Sequence, residues 1–177
     1  MKYVLLLFLG SLLVGCGTRV PYTNQVRDDF GLETEQTIKK VQFLVSTDII
    51  LQRSSESGDQ GTDESGTLVV SSNKEQDRII IPNGTKGLFE GFGDNGELIV
   101  RFEVGVGKTL TFGLREGQTA GKYYIMADWK NKKGGEIQYG NQTYYVAKQS
   151  GTAYLQVLKK KLQKTKRKDR VVKGLKI

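Results

Sequence analysis

Apolar and polar positions divide the chain into four regions. Residues 4–14 are apolar apart from Gly10 and Ser11, and they follow a single positive charge at Lys2. Residues 16–31 are mixed, with Pro21 and the Asp28-Asp29 pair, and read as an exposed tether. In residues 32–40, Thr34 is a candidate N-cap and Glu35, Lys39 and Lys40 are good helix formers, which predicts one short helix. Beyond residue 40 the pattern changes to alternation and β-branched side chains. Strands are predicted over residues 41–45, 48–53, 67–71, 78–81, 87–92, 97–104, 109–114, 122–129, 136–139, 143–148 and 153–158. Residues 54–66 hold Ser, Gly, Asp and Glu with no large apolar residue, and read as a solvated loop.

Turn chemistry separates the strands. Pro82-Asn83-Gly84, Asp94-Asn95-Gly96 and Gly140-Asn141 each offer residues that accept positive φ. Residues 87–92 should therefore pair with 97–104, and 136–139 with 143–148, as hairpins. Short strands at this spacing predict an all-β fold: one antiparallel β-sandwich or SH3-like barrel of about 8–10 strands, with one N-terminal helix and a basic C-terminal tail. Phe43, Val45, Ile80, Leu98, Val100, Phe102, Leu110, Phe112, Ile125 and Val146 are the expected core. The stretch Ile79-Ile80-Ile81-Pro82-Asn83-Gly84-Thr85-Lys86-Gly87-Leu88-Phe89, followed by Gly96-Glu97-Leu98-Ile99-Val100-Arg101-Phe102, resembles a segment of an SH3-like barrel. The resemblance bears on fold alone.

The apolar run at the N-terminus is too short to span a bilayer, which needs about 20 residues. It has the charge order and length of a signal peptide instead. It closes on Leu13-Val14-Gly15-Cys16, which resembles the lipobox of bacterial lipoproteins. That resemblance implies removal of residues 1–15, a diacylglyceryl group on the Cys16 sulfur and acylation of the new amine. Two or three acyl chains anchor a protein stably, whereas one does so only marginally. Cys16 is the only cysteine, so no intrachain disulfide is available. In the best-known lipoprotein sorting system an Asp after the acylated Cys retains the protein at the inner membrane. Gly17 stands there, and no acid follows until Asp28. The resemblance thus implies an outer-membrane anchor facing the periplasm.

Charge sharpens this division. The formal net charge is +8, but residues 159–177 carry +9, and residues 16–158 carry −2. The 22 Gly and 2 Pro suit a protein of many turns. The basic run contains Lys159, Lys160, Lys161, Lys164, Lys166, Arg167, Lys168 and Arg170, and ends with the apolar Val171, Val172, Leu175 and Ile177. Such runs are solvated tails or interaction arms. Nucleic acid is their commonest partner, but an exported lipoprotein meets none. The anionic partners left are lipid headgroups, peptidoglycan carboxylates and acidic protein faces.

Catalytic chemistry finds few candidates. There is no His, which removes Ser-His-Asp and Cys-His arrangements and imidazole metal ligands. Two carboxylate pairs, Glu90 with Glu103 and Asp128 with Glu136, are the remaining route, by glycoside hydrolysis. Gly105-Val106-Gly107-Lys108-Thr109 ends like a phosphate-binding loop but lacks its first Gly and leads into a strand pattern. Asp59, Asp63 and Glu64 lack the order of a calcium loop. No cofactor, catalytic residue or metal ligand is expected.

The aromatic residues offer more. Tyr123, Tyr124, Trp129, Tyr139, Tyr144, Tyr145 and Tyr154 lie within about 30 residues, and adjacent strand residues face opposite sides. At least one member of each of the pairs Tyr123-Tyr124 and Tyr144-Tyr145 should lie outward or at a rim. Tyr124, Tyr145 and Trp129 are thus candidates for contact with a glycan or an envelope protein. The alternative is aromatic pairing that only stabilises the sheet. The expected function is a non-enzymatic binding or scaffolding subunit of an envelope assembly. A cell-surface glycan- or host-binding lipoprotein is the alternative, and a carboxylate cell-wall hydrolase stands third.

Overall fold

The computed structural model describes residues 17–62 and 68–162, with the backbone alone for 54–62, 68–76 and 161. Eleven strands are present among them: β1 (Arg19–Pro21), β2 (Gln42–Val45), β3 (Ile49–Thr62), β4 (Leu68–Ile81), β5 (Lys86–Phe92), β6 (Leu98–Arg101), β7 (Thr109–Gly113), β8 (Tyr124–Ile125), β9 (Gly135–Tyr139), β10 (Gln142–Val146) and β11 (Leu155–Leu158). They form two antiparallel sheets, one of seven strands ordered β1-β11-β2-β5-β6-β7-β8 and one of four ordered β4-β3-β10-β9. The fold is all-β, as expected. Helical pieces are short: α1 (Asn24–Asp29), α2 (Glu35–Ile38), a 3-10 turn at Lys148–Thr152, and α3 (Lys159–Leu162). Among the described residues, no helix is long and apolar enough to cross a membrane.

One bent ribbon joins the sheets. β2 pairs with β5 in the first sheet, Phe43 opposite Gly87, and their continuations β3 and β4 pair in the second, Ile49 opposite Ile81. The bend falls at residues 46–48 and 82–85. It is closed by Gly84 N–H donating to Val45 O at 2.8 Å, Val45 N–H to Thr85 O at 3.2 Å, and Asn83 N–H to the Asp48 carboxylate at 2.7 Å. Gly84 has φ 77°, a backbone that side-chain-bearing residues enter at a cost. The turn expected at Pro82-Asn83-Gly84 is therefore present, and it passes the chain between sheets because β4 and β5 already have other partners. The hairpins expected at residues 94–96 and 140–141 form as β5–β6 and β9–β10.

Both sheets feed one hydrophobic cluster. Phe43, Val45, Leu98, Val100, Leu110, Phe112, Ile125 and Val146 are buried in it as expected. Ile80 is not, being 51% exposed. In the run Ile79-Ile80-Ile81, Ile81 is buried and Ile79 packs against the cluster, so the alternation of the strand turns Ile80 outward. Phe102 is also only partly buried, its ring edge-on to Phe112. Ser150 is fully buried, and its hydroxyl accepts the Ile50 N–H at 2.9 Å.

Four expectations give way. Residues 54–62, expected as loop, extend β3 against β4; a two-stranded ladder needs only backbone groups, so a stretch without apolar residues leaves no periodic signal. The segment expected as a tether is folded from Arg19 onward. β1 pairs with β11, α1 follows with Thr23 as N-cap, its hydroxyl accepting the Val26 N–H at 3.1 Å, and Tyr22 is fully buried against Phe43 and Tyr123. The strand expected over 122–129 contracts to β8, and the single expected helix to α2 behind Thr34, with α1 additional.

Two outcomes follow. Gly84→Ala should destabilise the fold by about 1–2 kcal/mol, read by denaturant unfolding, because the new side chain is held at positive φ. Burial, then the neighbouring Tyr123, raises the Tyr22 phenol above its ordinary range. Burial and the Glu103 carboxylate raise Tyr139, and the hydrogen bond to Asp77 raises Tyr144. Unfolded phenols ionise near pH ~10. Stability from these three is complete below that pH and falls as pH rises through it. In an alkaline titration followed by tyrosinate absorbance, they should ionise only as far-UV circular dichroism is lost.

Candidate functional site

Trp129 sits where a tight loop leaves the sheet. Asp128 and Glu136 bridge back to back, N–H to O at 3.0 and 2.8 Å, and pin the two ends of the loop. Inside it the Asp128 carboxylate accepts Lys130 N–H at 3.0 Å and the Asn131 side chain accepts Lys133 N–H at 3.0 Å. The loop carries Lys130, Lys132 and Lys133 directly after Trp129 in the chain.

The indole lies flat because two glycines let it. A Cβ on Gly135 would fall 3.0 Å from the Trp129 ring, and one on Gly151 would fall 2.9 Å from its far edge. Trp129 nevertheless stays 40% exposed. It forms one wall of an open hollow of about 500 Å³, lined also by Arg115, Lys148, Gly151 and Thr152. Arg115 is fixed there, donating to Gly151 O at 2.6 Å and Ile125 O at 3.1 Å while its guanidinium lies 4.9 Å from the centre of the Tyr124 ring. Tyr124 meets Tyr154 edge to face, and Lys122 stands 4.7 Å over Tyr154. The result is an apolar plate bordered by Arg115, which backbone carbonyls hold in place, and by Lys148. Sugar rings and aliphatic side chains stack on such a plate, and carboxylates pair with the rim.

Tyr124 and Tyr145 lie on the outward side of their strands, while Tyr123 and Tyr144 are buried. Only Tyr124 joins Trp129, through Arg115; Tyr145 stands apart on β10 with Lys133 5.7 Å over its ring. Lys159 and Lys160 are exposed on α3, and Lys161 continues that helix. Cys16, Lys164, Lys166, Arg167, Lys168 and Arg170 lie outside the described residues, as do Asp63 and Glu64.

Of the two carboxylate pairs, Glu90 and Glu103 are otherwise engaged. Glu90 forms a forked ion pair with Arg101. Glu103 accepts from Lys108 at 2.7 Å and from Tyr139 at 2.9 Å. The hydrogen bond from Arg101 holds Glu90 below the usual carboxylate range, and that from Lys108 does the same for Glu103. A general acid needs the opposite shift. The Gly105–Thr109 run is the turn from β6 into β7, and Gly107 O accepts from Gly140 N–H at 2.8 Å.

One cleft had no sequence signal. Asn24, Arg27 and Asp28 of α1 face Asn95, Gly96, Glu97, Leu114 and Tyr123 across about 430 Å³. Arg27 donates to the Tyr123 hydroxyl at 3.1 Å, and that hydroxyl donates to Asn24 at 3.0 Å. These residues come from four places in the chain, one of them the segment expected as tether, so no local motif joins them. Comparison with protein-family models, curated proteins and solved structures finds no match for this chain.

Gly151→Ala should push the indole off its seat. Crowding of this kind costs about 1–3 kcal/mol. Trp129 is the only tryptophan, so its emission should shift to the red as its exposure rises, while the far-UV circular dichroism stays unchanged.

Proposed function

We propose that this chain is a lipid-anchored, non-enzymatic binding module of a bacterial envelope. It is held by acylated Cys16 at the periplasmic face of the outer membrane and presents the Trp129 plate to an envelope partner. The observation that carries the binding reading is the Trp129 seat. A large ring left 40% exposed, supported by two glycines and bordered by Arg115 and Lys148, is the form of an interface anchor. The ion-paired state of Glu90 and Glu103 supports a role without catalysis. The location rests on the leader and on Leu13-Val14-Gly15-Cys16.

Mass spectrometry of the mature protein should find a chain that begins at Cys16 and carries acyl mass there; a different start, or an unmodified Cys16, overturns the anchoring. Trp129→Ala should weaken partner capture by about 30-fold or more, the loss expected of a central aromatic anchor, with the fold retained by far-UV circular dichroism. Crosslinking in intact cells reads this out. Crosslinks that survive Trp129→Ala overturn the plate as the contact, and protease accessibility on intact cells separates the periplasmic from the surface-exposed alternative.

A further inference from the structure

The two ends of the fold leave it at one point. β1 runs antiparallel to β11, with Arg19 opposite Leu158, so the first strand begins where the last one ends. The pairing continues one step further, because Lys159 N–H donates to Thr18 O at 3.0 Å. Gly17 packs there too; a Cβ on it would stand 3.5 Å from the Leu158 side chain. Leu162 is buried and pins α3 against the body, leaving Lys159 and Lys160 exposed beside Thr18.

Cys16 directly precedes Gly17 in the sequence. Two residues of extended chain span at most about 7 Å. If Cys16 bears the lipid, its sulfur sits at the headgroup layer, and Thr18 with its partner Lys159 stands within about one screening length of it, about 8 Å at physiological salt. The lysine run thus opens at the anchor, while the remainder of the mature chain, residues 16–158, is net negative.

We infer that the β1–β11 edge is a membrane-facing surface. Lys159, Lys160 and the basic residues that follow bind anionic phospholipid headgroups of the same leaflet that holds the acyl chains. This rests on the reading of Cys16 as acylated. The lipid and the lysines then act as two signals at one place, a combination that anchors stably where one signal does so marginally. Two attachments at one edge also fix which side of the domain faces the bilayer. A body joined through a long tether would have no such preference.

The test uses acylated mature protein in vesicles of phosphatidylcholine alone or with phosphatidylglycerol, labelled with a membrane-impermeant amine reagent and read by mass spectrometry. Lys159 and Lys160 should be protected several-fold by phosphatidylglycerol, and the protection should vanish in high salt. Lys132, in the loop that carries Trp129, serves as the reference. Equal labelling in both vesicles overturns the inference. So does protection that appears only when purified peptidoglycan is added to phosphatidylcholine vesicles, which would assign the lysines to the cell wall. Should Cys16 prove unmodified, the anchoring reading fails on its own, and the purified chain is added to preformed vesicles. Salt-sensitive sedimentation with phosphatidylglycerol then retains the basic edge, and its absence removes it.

Discussion

The bend at residues 46–48 and 82–85 is the constraint on which the rest of the fold depends. One antiparallel ribbon supplies β2 and β5 to the first sheet and β3 and β4 to the second, so the two sheets are covalently and hydrogen-bonded continuous at that corner. The inner faces on either side of it, Phe43 and Val45 before and Ile49 and Leu51 after, enter the same cluster. Strands that switch sheets in this way make the corners of β-sandwiches and related folds. The Asp48 carboxylate and Gly84 hold the corner in complementary ways: the carboxylate satisfies a backbone donor, and the glycine adopts the positive φ. Ser46 adds a third restraint, exchanging hydrogen bonds with Tyr154 of 3.0 and 2.9 Å and so fixing the corner to the entrance of β11.

From that corner the Trp129 plate follows by packing rather than by any local motif. β10 pairs with β3 beside the bend, β9 pairs with β10, and Gly135 opens β9. The other glycine, Gly151, lies in the 3-10 turn that Ser150 ties to Ile50 of β3. Both supports of the indole are therefore referred to the second sheet. Arg115 reaches the plate from beyond β7 of the first sheet and bonds carbonyls of Ile125 and Gly151. The plate is thus built where the two sheets meet, and its cation is held by backbone oxygens rather than by an acid. Among the described residues, the hydrogen bonds of Arg115 go to these carbonyls and to no carboxylate.

What could be read in the sequence divides along the range of the forces involved. Period-2 alternation and turns of Asn with Gly are local, and from them the β class, the β5–β6 and β9–β10 hairpins and most of the core are legible. The Tyr pairs were legible for the same reason: Tyr123 and Tyr144 are buried and Tyr124 and Tyr145 are not. Alternation fails where apolar residues run on, as at Ile79-Ile80-Ile81, because it then offers no choice of face. It also fails where a strand's sequence holds no apolar residue, as in residues 54–62. Of the plate, only Trp129 and Tyr124 could be singled out. Gly135, Gly151, Arg115 and Lys148 matter through packing from distant parts of the chain. Likewise nothing around Arg19 to Tyr22 marks a strand and a buried ring, since their partners Leu158 and Tyr123 are more than 100 residues away.

The burial of Tyr22 bears on how such a chain sits on a surface. With Tyr22 packed on Phe43 and Tyr123, and its N–H bonded to Leu155 O at 2.8 Å, the chain is fixed into the body six residues after Cys16. Reorienting the body about a lipid at Cys16 would need slack between them, and the hydrogen bond from Lys159 to Thr18 takes up most of it. Lengthening that connection by inserted glycines would free rotation without removing a single charge. Under the proposed anchoring, orientation and attraction would thus be separable: the first would come from the short route between Cys16 and β1, the second from the lysines beside it. Under the proposed anchoring, a protein with both would present its other faces, the Trp129 plate among them, at a set attitude to the bilayer, which would lower the entropic cost of meeting a partner confined to the same layer.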